Sequence, residues 1–479
     1  MQGETIDASK KRFLYSVMIT ATLGGLLFGY DTGVVNGALP YMKQPDQLNL
    51  TPALEGFVVS ALLFGAAIGS IAGGRIADAF GRRKMILALA VIFFCAAMGC
   101  TLAPSVWVMI PCRFILGLAV GGASVAVPIY LAEVSPSNKR GRMVTQNELM
   151  IVSGQFLAYV CNAVLGTLFD DTGHIWRYML FLATLPAIAL FFGMMRMPES
   201  PRWMILKGSI SEALDILKKL RSSEIEAIAE LNEIEDNIKQ ETIVKQYGWK
   251  DLRRPWILRI LLIGIGVAVV TRFTGVNTIM FYGTQILTDA GFGRQTALIA
   301  NVANGLTSVI ATFVGIWLLG KMGRRTMFLT GLGGTTTSLL LIALSSMYLS
   351  GTAMLPFIVL GMTILFLAFM QGCIAPILWL VIAEIFPLRL RGLGMGVCIF
   401  FLWIFDFLIG SVFPVLLDTW GLSTAFFVFV VSGIVGMVFV KLCVPETKGK
   451  SLEEIEKYFR SIDSKGQSTE ESEKSLGSV

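Results

Sequence analysis

One carboxylate of this chain lies deep inside an apolar stretch. Asp31 falls in the first long hydrophobic segment, residues 13–38. A charge near the centre of a bilayer costs about 2.5–3.5 kcal/mol on insertion scales, so an acid there predicts a proton carrier, an ion ligand or a substrate contact. Arg113, which opens another apolar segment, is the candidate counter-charge. The alternative is a purely structural ion pair between two helices.

The composition predicts a membrane protein built from helices. Of the 479 residues, 54% are hydrophobic and 15% are charged, and the mean hydropathy is +0.70. A span needs about 20 apolar residues, and it must be helical because lipid offers the backbone no hydrogen-bond partners. Twelve segments are long and apolar enough: 13–38, 53–77, 84–103, 107–131, 143–168, 176–196, 255–287, 296–319, 326–349, 353–383, 392–417 and 421–443.

Basic residues cluster in alternate loops between these segments. The clusters contain Arg82, Arg83, Lys84, Lys139, Arg140, Arg142, Lys321, Arg324, Arg325, Arg389 and Arg391. Because basic loops stay on the cytoplasmic side, we expect both termini and the long 197–254 connection to be cytoplasmic, in a multi-pass protein of the cell membrane. This bias also explains the net charge of +6, so no nucleic-acid partner is expected.

The chain repeats itself at an interval of about 250 residues. Gly81-Arg82-Arg83 is echoed by Gly323-Arg324-Arg325, and Glu133 by Glu384 in matching contexts. Two parallel six-span halves are therefore expected, with a substrate site where they meet. The predicted units are a first half (1–196), a cytoplasmic helical linker (197–254), a second half (255–445) and a cytoplasmic tail (446–479).

The cysteines and the single histidine indicate neither a metal site nor an enzyme. The seven cysteines are scattered through the spans without a CxxC pair, and His174 falls in a short external loop. With no nucleophile–base constellation, we expect no enzymatic activity and no cofactor.

Several motifs occur in the right spans and in the right order to carry a family resemblance over about residues 12–460. They are Gly74-x-x-x-Asp78-x-x-Gly81-Arg82-Arg83, Arg113-x-x-x-Gly117, Pro198-Glu199-Ser200-Pro201-Arg202-Trp203, Gly275-Val276-Asn277 and Pro445-Glu446-Thr447-Lys448-Gly449. The chain resembles the sugar porter family of the major facilitator superfamily, and within it the bacterial myo-inositol/proton symporters. The resemblance implies a major facilitator fold of twelve helices.

The resemblance also implies proton-coupled uptake of a small neutral sugar or polyol, with myo-inositol as the favoured substrate. Family members with an acid at the position of Asp31 are proton-coupled, so Asp31 and Arg113 are the expected coupling pair and the proton is the coupling ion. A hexose, pentose or sugar-acid symporter, a facilitative uniporter, an exporter and a transporter-like sensor are the alternatives. We expect a monomer surrounded by lipid.

The expected substrate site contains polar and aromatic side chains. They are Phe28, Glu148, Gln155, Thr271, Arg272, Asn277, Tyr282, Trp379, Trp403 and Asp406. Three positions depart from the family pattern: Glu148 replaces a common Gln, Thr271-Arg272 a common Gln-Gln, and Asp406 a common Asn. A buried charge is tolerated when it is paired, so Arg272 is predicted to pair with Glu148 or Asp406. Selection of a charged substrate is the alternative.

A second group of charges falls at the predicted cytoplasmic ends of the spans. Its members are Asp78, Arg82, Glu133, Arg140, Glu199, Arg202, Arg324, Glu384 and Arg391. Directional Arg–carboxylate pairs there could bridge the two halves when the inner side is closed, which predicts a cytoplasmic gate. The second half has Gly320 where the first has Asp78, so its copy of the gate is incomplete.

Overall fold

The computed structural model of the chain describes residues 8–136, 140–169, 173–243, 248, 250–387, 389–450, 454–457 and 459. The first half contains α1 (Ala8–Met42), α2 (Pro52–Phe80), α3 (Arg82–Leu102), α4 (Val106–Val134), α5 (Arg140–Leu168), α6 (Ile175–Leu182) and α7 (Thr184–Met195). Three shorter helices follow: α8 (Pro201–Leu206), α9 (Ile210–Leu220) and α10 (Glu224–Ile243). The second half contains α11 (Pro255–Arg272), α12 (Val276–Asp289), α13 (Arg294–Lys321), α14 (Arg324–Tyr348), α15 (Leu355–Phe369), α16 (Ala375–Ile385) and α17 (Arg391–Cys443).

Within the described residues, eleven helical segments, three of them with a short break, are long and apolar enough to cross a membrane. The last of them, α17, has 53 residues, which would make a straight helix about 80 Å long, far more than the ~30 Å hydrocarbon core. Gly421, with φ 75° and ψ 172°, interrupts its helical geometry. This segment therefore supplies two crossings, and the expected total of twelve is confirmed.

Three crossings are broken within the membrane, and each break has a local cause. Gly275 (φ 80°) separates α11 from α12 in a left-handed conformation that only glycine adopts easily. Pro186 cannot donate to the carbonyl of Leu182, where α6 ends. Met370–Ile374 forms a π-helical turn just before Pro376, and such turns are frequent at functional sites.

Glycines allow α1 and α5 to touch along their backbones. A Cβ on Gly29 would lie 1.7 Å from the carbonyl oxygen of Ile151, and one on Gly154 would lie 2.2 Å from that of Leu26. Small residues permit this close approach where helix packing is driven by van der Waals contact. The approach fixes the spacing between Asp31 on α1 and the polar residues of α5.

The two ends of the bundle differ in charge. The end that carries Arg82, Glu133, Arg324 and Glu384 is called here the basic end, and the other the opposite end. The short helices α8–α10 pack together at the basic end through a small apolar core of Met204, Ile205, Ala213, Leu217, Ala227 and Leu231. They therefore form a separate layer next to the first half.

Candidate functional site

Asp31 and Arg113 form a buried ion pair inside the first half. Arg113 Nη1 lies 2.8 Å from Asp31 Oδ1 and 2.9 Å from Oδ2. The Arg113 guanidinium also donates from Nε to the carbonyl of Val58 at 3.2 Å. The exposed fraction of either side chain is 2% or less. A carboxylate held in this way loses its charge only by accepting a proton, and withdrawal of the guanidinium would make that easier.

A second buried ion pair lies in the second half. Arg272 Nε lies 3.2 Å from Asp406 Oδ2, and the exposed fractions of the two side chains are 15% and 2%. Asn277 also approaches the Asp406 carboxylate. The sequence left Glu148 and Asp406 as possible partners of Arg272. In the structure Arg272 pairs with Asp406. Glu148 remains half-buried on α5 and lies within electrostatic range of Arg272.

The expected neutral ligands differ in how accessible they are. Gln155 is 3% exposed, and its amide donates to the hydroxyl of Tyr159 at 3.0 Å. The hydroxyl of Thr271 is fully buried and donates to the carbonyl of Val267 at 2.8 Å, so it is engaged within its own helix. Asn277 is half-buried beside Asp406. Gln155 and Asn277 are thus better placed than Thr271 to exchange a partner for a substrate hydroxyl.

Two of the expected aromatic residues meet between the halves. The rings of Phe28 and Trp403 are 5.8 Å apart, edge to face. The indole Nε1–H of Trp403 is buried without a hydrogen-bond partner in the described part of the chain. A buried donor without a partner is costly, so it is suited to a ligand that supplies an acceptor.

The other two expected aromatics differ from each other. Trp379 is half-buried on α16, just after the π-helical turn. Tyr282 is 1% exposed, its hydroxyl donates to the carbonyl of Gly410 at 2.8 Å, and its ring packs against Phe413. In this conformation Tyr282 belongs to the interior of the second half and not to an open surface.

Glu133 organises the charges of the first half at the basic end. Its carboxylate pairs with Arg82 (Nε–Oε2 2.9 Å) and accepts a hydrogen bond from the hydroxyl of Ser200. Arg82 also pairs with Asp78 at 2.8 Å. Glu199 accepts from the backbone N–H of Arg83 at 2.9 Å. These contacts attach the residues just before α8 to the start of α3 and the end of α4.

The second half repeats this arrangement with different residues. Glu384 pairs with Arg324 at 3.4 Å and accepts a hydrogen bond from the hydroxyl of Thr447. Glu446 accepts from the backbone N–H groups of Arg324 and Arg325 at 2.7 and 3.2 Å. The Arg82–Glu133 pair lies within the first half, and the Arg324–Glu384 pair lies within the second.

The site of the missing acid in the second half is filled differently. The ammonium group of Lys448 donates to the carbonyl of Gly320 at 3.3 Å and to that of Lys321 at 2.8 Å. The second half thus has a lysine–carbonyl contact at the place where Asp78 pairs with Arg82 in the first half.

Three further expected gate residues have different surroundings. Arg202 lines a cleft of about 300 Å³ between Glu133 and the acidic face of α10. Arg391 is half-buried at the start of α17. Arg140, the first residue of α5, lies outside the side chains that the structure describes.

Comparison with known proteins identifies the family. The sequence pattern of the sugar (and other) transporter family matches residues 17–459. The major myo-inositol transporter IolT of Bacillus subtilis is 59% identical over 460 residues, which cover 96% of this chain and 97% of that relative. The chain belongs to the sugar transporter family.

Solved structures place this sugar transporter in the major facilitator superfamily. The inward open conformation of the xylose transporter XylE from E. coli matches with a TM-score of 0.81 at 26% identity, covering 93% of this chain and all of that one. XylE bound to 6-bromo-6-deoxy-D-glucose matches with a TM-score of 0.75. The D-xylose transporter of Levilactobacillus brevis is 37% identical over 446 residues, covering 93% of this chain and 95% of that relative. The resemblance drawn from the sequence motifs is confirmed, and the transporter is a multi-pass membrane protein.

The opposite end of this transporter is closed by contacts between the halves that the sequence did not reveal. Asn36 on α1 donates to the carbonyl of Met280 on α12 at 2.7 Å, and the hydroxyl of Tyr159 on α5 donates to the same carbonyl at 3.1 Å. Ser411 on α17 donates to Ser60 on α2 at 2.7 Å. In the sequence, each of these contacts was visible only as a polar residue on an otherwise apolar helix face. Many such residues donate only to a carbonyl of their own helix, so the pattern alone does not predict a contact between the halves.

Other contributors at the basic end could have been found from the sequence. Ser200 and Thr447 occupy equivalent places in Pro198-Glu199-Ser200 and Pro445-Glu446-Thr447, and each donates to the gate glutamate of its half. The repeat of Pro-Glu-Ser and Pro-Glu-Thr was visible as a motif. Its role in holding Glu133 and Glu384 was not.

Proposed function

We propose that this transporter carries a small neutral polyol, myo-inositol, into the cell together with protons. Asp31 is the proton carrier in this proposal, and Arg113 is the partner that sets its charge. The observation that carries the proposal is the buried Asp31–Arg113 pair, in which a carboxylate lies 2.8 Å from a guanidinium inside a bundle of membrane-spanning helices. Such a group is a functional hypothesis by default because burying it is costly.

Substrate exchange would proceed by rocking of the halves about a site at their interface. Movement of Arg113 away from Asp31 would allow the acid to take up a proton, and its return would favour release of that proton. Gln155, Asn277 and the Trp403 indole would bond substrate hydroxyls, with Phe28 and Trp379 as flat apolar surfaces. The transporter would not convert its substrate chemically, and the proton would serve as the coupling ion without a cofactor.

A neutral substrate is favoured over a sugar acid because Arg272 already has a carboxylate partner. Its pairing with Asp406 leaves no uncompensated positive charge from this residue for an anionic ligand. The identity to IolT, whose name states myo-inositol transport, favours that polyol.

The orientation follows from the basic loops and from the state of the two ends. We place the basic end, both termini and α8–α10 in the cytoplasm, and the protein in the cell membrane as a monomer. The separated gate pairs at the basic end, the interhalf bonds at the opposite end and the similarity to inward open XylE support an inward-facing conformation.

The experiment is uptake of labelled myo-inositol into proteoliposomes with an imposed proton gradient. Uptake above equilibrium that a protonophore abolishes is expected, with hexoses, pentoses and sugar acids competing weakly. Uptake that is indifferent to the protonophore would contradict the coupling, and uptake of hexose alone would contradict the substrate.

A further inference from the structure

Two of the free cysteines meet in the first half, where α3 packs against α4. The thiols of Cys100 and Cys112 lie within hydrogen-bonding reach of each other, although they belong to different helices. Gly99 makes the close approach possible, because a Cβ at this position would lie 2.7 Å from the sulfur atom of Cys112. Only residues 103–105 connect the two helices, so the contact is made within one helical hairpin.

The two cysteines differ in their access to the surroundings. Cys100 is 1% exposed, whereas Cys112 is half-buried. Val108 and Ile115, one helical turn before and after Cys112, are 40% and 43% exposed. Residues three and four apart lie on one face of a helix, so Cys112 borders an apolar face of α4 that contacts lipid. A reagent dissolved in the lipid can therefore reach Cys112, while Cys100 is shielded.

This pair of thiols adjoins the Asp31–Arg113 ion pair. Arg113 follows Cys112 directly in α4, and its guanidinium lies 2.8 Å from the Asp31 carboxylate. The Cys100 thiol lies within electrostatic range of both charged groups. A covalent change at Cys112 therefore acts on the helical turn that carries Arg113.

We propose that Cys100 and Cys112 form a reversible disulfide when the membrane contains organic hydroperoxides. In the first step the Cys112 sulfur attacks the peroxide and the O–O bond breaks, so that Cys112 becomes a sulfenic acid. The peroxide leaves as an alcohol, which takes up the Cys112 thiol proton. In the second step the Cys100 sulfur attacks the sulfenic acid and the S–O bond breaks, which forms the disulfide and releases water with the Cys100 proton. The two sulfur atoms together lose the two electrons that reduce the peroxide.

The disulfide holds α3 to α4 one residue before Arg113. Its bond length and torsion angles are narrowly defined, so the backbone at Cys112 loses freedom. We expect this restraint to slow the withdrawal of Arg113 from Asp31 and thereby proton-driven uptake. This consequence rests on the proposed function, whereas formation of the disulfide does not. In the proposed orientation the pair lies near the external end of the bundle, where conditions favour disulfides.

Mass spectrometry of the transporter in proteoliposomes tests the disulfide. After treatment with excess cumene hydroperoxide, the remaining thiols are alkylated and the peptide that links Cys100 to Cys112 is measured with and without dithiothreitol. The link is expected in the parent and in the control Cys95→Ser, which replaces an exposed cysteine of α3 outside the pair. Absence of the link in the parent, or links from Cys112 to Cys95 that are as frequent as those to Cys100, would overturn the proposal.

The order of the two steps is tested by removing one thiol at a time. In Cys100→Ser the sulfenic acid of Cys112 lacks its partner thiol, so dimedone added together with SDS should trap it. In Cys112→Ser the buried Cys100 should be trapped about tenfold less, because susceptibility to oxidation follows exposure. Equal trapping in the two variants would overturn the assignment of Cys112 as the thiol that attacks the peroxide.

Access through the lipid is tested by comparing two peroxides. Cumene hydroperoxide partitions into lipid, whereas hydrogen peroxide stays mainly in water. Relative to their rates with glutathione in solution, cumene hydroperoxide should form the disulfide at least about threefold faster than hydrogen peroxide. Equal relative rates would show that water reaches Cys112 and would overturn the choice of a lipid-dissolved peroxide.

Accumulation of myo-inositol measures the consequence for transport. Treatment with cumene hydroperoxide should lower proton-driven accumulation about threefold or more in the parent and in Cys95→Ser, with recovery in dithiothreitol, and should leave Cys112→Ser unchanged. An equal loss in Cys112→Ser, or complete formation of the disulfide without any loss, would overturn the effect on Arg113. Failure of the untreated parent to accumulate myo-inositol would contradict the proposed function, while mass spectrometry would still decide the disulfide.

Discussion

The pairing of Arg272 with Asp406 makes a specific forecast for double variants. Removing one partner of a buried pair costs about 3–5 kcal/mol, whereas replacing both can be nearly neutral. Arg272→Gln should therefore impair myo-inositol uptake strongly, and Arg272→Gln/Asp406→Asn should recover part of it. Arg272→Gln/Glu148→Gln should recover less, because Arg272 contacts Asp406 directly.

Counterflow rates of these variants in proteoliposomes check the forecast. Equal recovery by both double variants would mean that Arg272 divides its charge between the two acids. No recovery in either, together with competition by a sugar acid in the parent, would favour the charged-substrate alternative.

The attachment of the chain around Glu446 at the basic end is expected to depend on pH. Although partial burial raises its pKa, hydrogen bonds from the backbone N–H groups of Lys448, Arg324, Arg325 and Thr447 outweigh this and hold the pKa below its usual value. A carboxylate with a depressed folded-state pKa stabilises the fold above the unfolded-state pKa, and this is lost as pH falls through the folded-state pKa. Attachment of residues 444–450 should thus weaken only below about pH 4.3.

Hydrogen–deuterium exchange of this segment, corrected for the intrinsic effect of pH, measures the attachment. Glu446→Gln should exchange faster at neutral pH and should lose the additional acid-dependent step. A step of the same size in Glu446→Gln would assign the effect to another group.

Among the helices, one buried arginine contributes to the attachment of α9 and α10 to the first half. Arg221 has a fully buried side chain that pairs with Glu230 and donates to the carbonyl of Val134 at 3.0 Å. Arg221→Ala should release these helices from the end of α4 and increase tryptic cleavage within 207–239 about tenfold or more. Lys218→Ala is the control, because Lys218 forms an exposed pair with Glu224, and such pairs contribute about 0–1 kcal/mol.

The helices were largely predictable from the sequence, but their interruptions and contacts were not. Span lengths and the repeat of Gly81-Arg82-Arg83 at Gly323 follow from hydropathy and local motifs. The π-helical turn before Pro376 and the hydrogen bonds between Asn36 and α12 depend on packing between distant segments. No pattern of spacing in one chain encodes such a contact, because Asn36 and Thr284 are 248 residues apart.

The same limit applies to the charged residues. Asp31 and Arg113 could be matched from the sequence because few charges lie in the spans. For Arg272 two acids remained possible, and only the three-dimensional distance separated them. Glu133 and Glu384 could be identified from the sequence, and so could the motifs that contain Ser200 and Thr447, but the hydrogen bonds between them emerged only from the structure.

For the whole molecule, the proposed function depends on proton coupling through Asp31. The most direct measurement compares Asp31→Asn with the parent in proton-driven accumulation and in counterflow of myo-inositol, with the exposed Asp46→Asn as the matched control. Asparagine keeps the shape and hydrogen bonding of Asp31 but cannot cycle a proton. We expect Asp31→Asn to lose accumulation above equilibrium while counterflow persists, and Asp46→Asn to behave as the parent. Accumulation of myo-inositol against its gradient by Asp31→Asn would contradict proton coupling through Asp31.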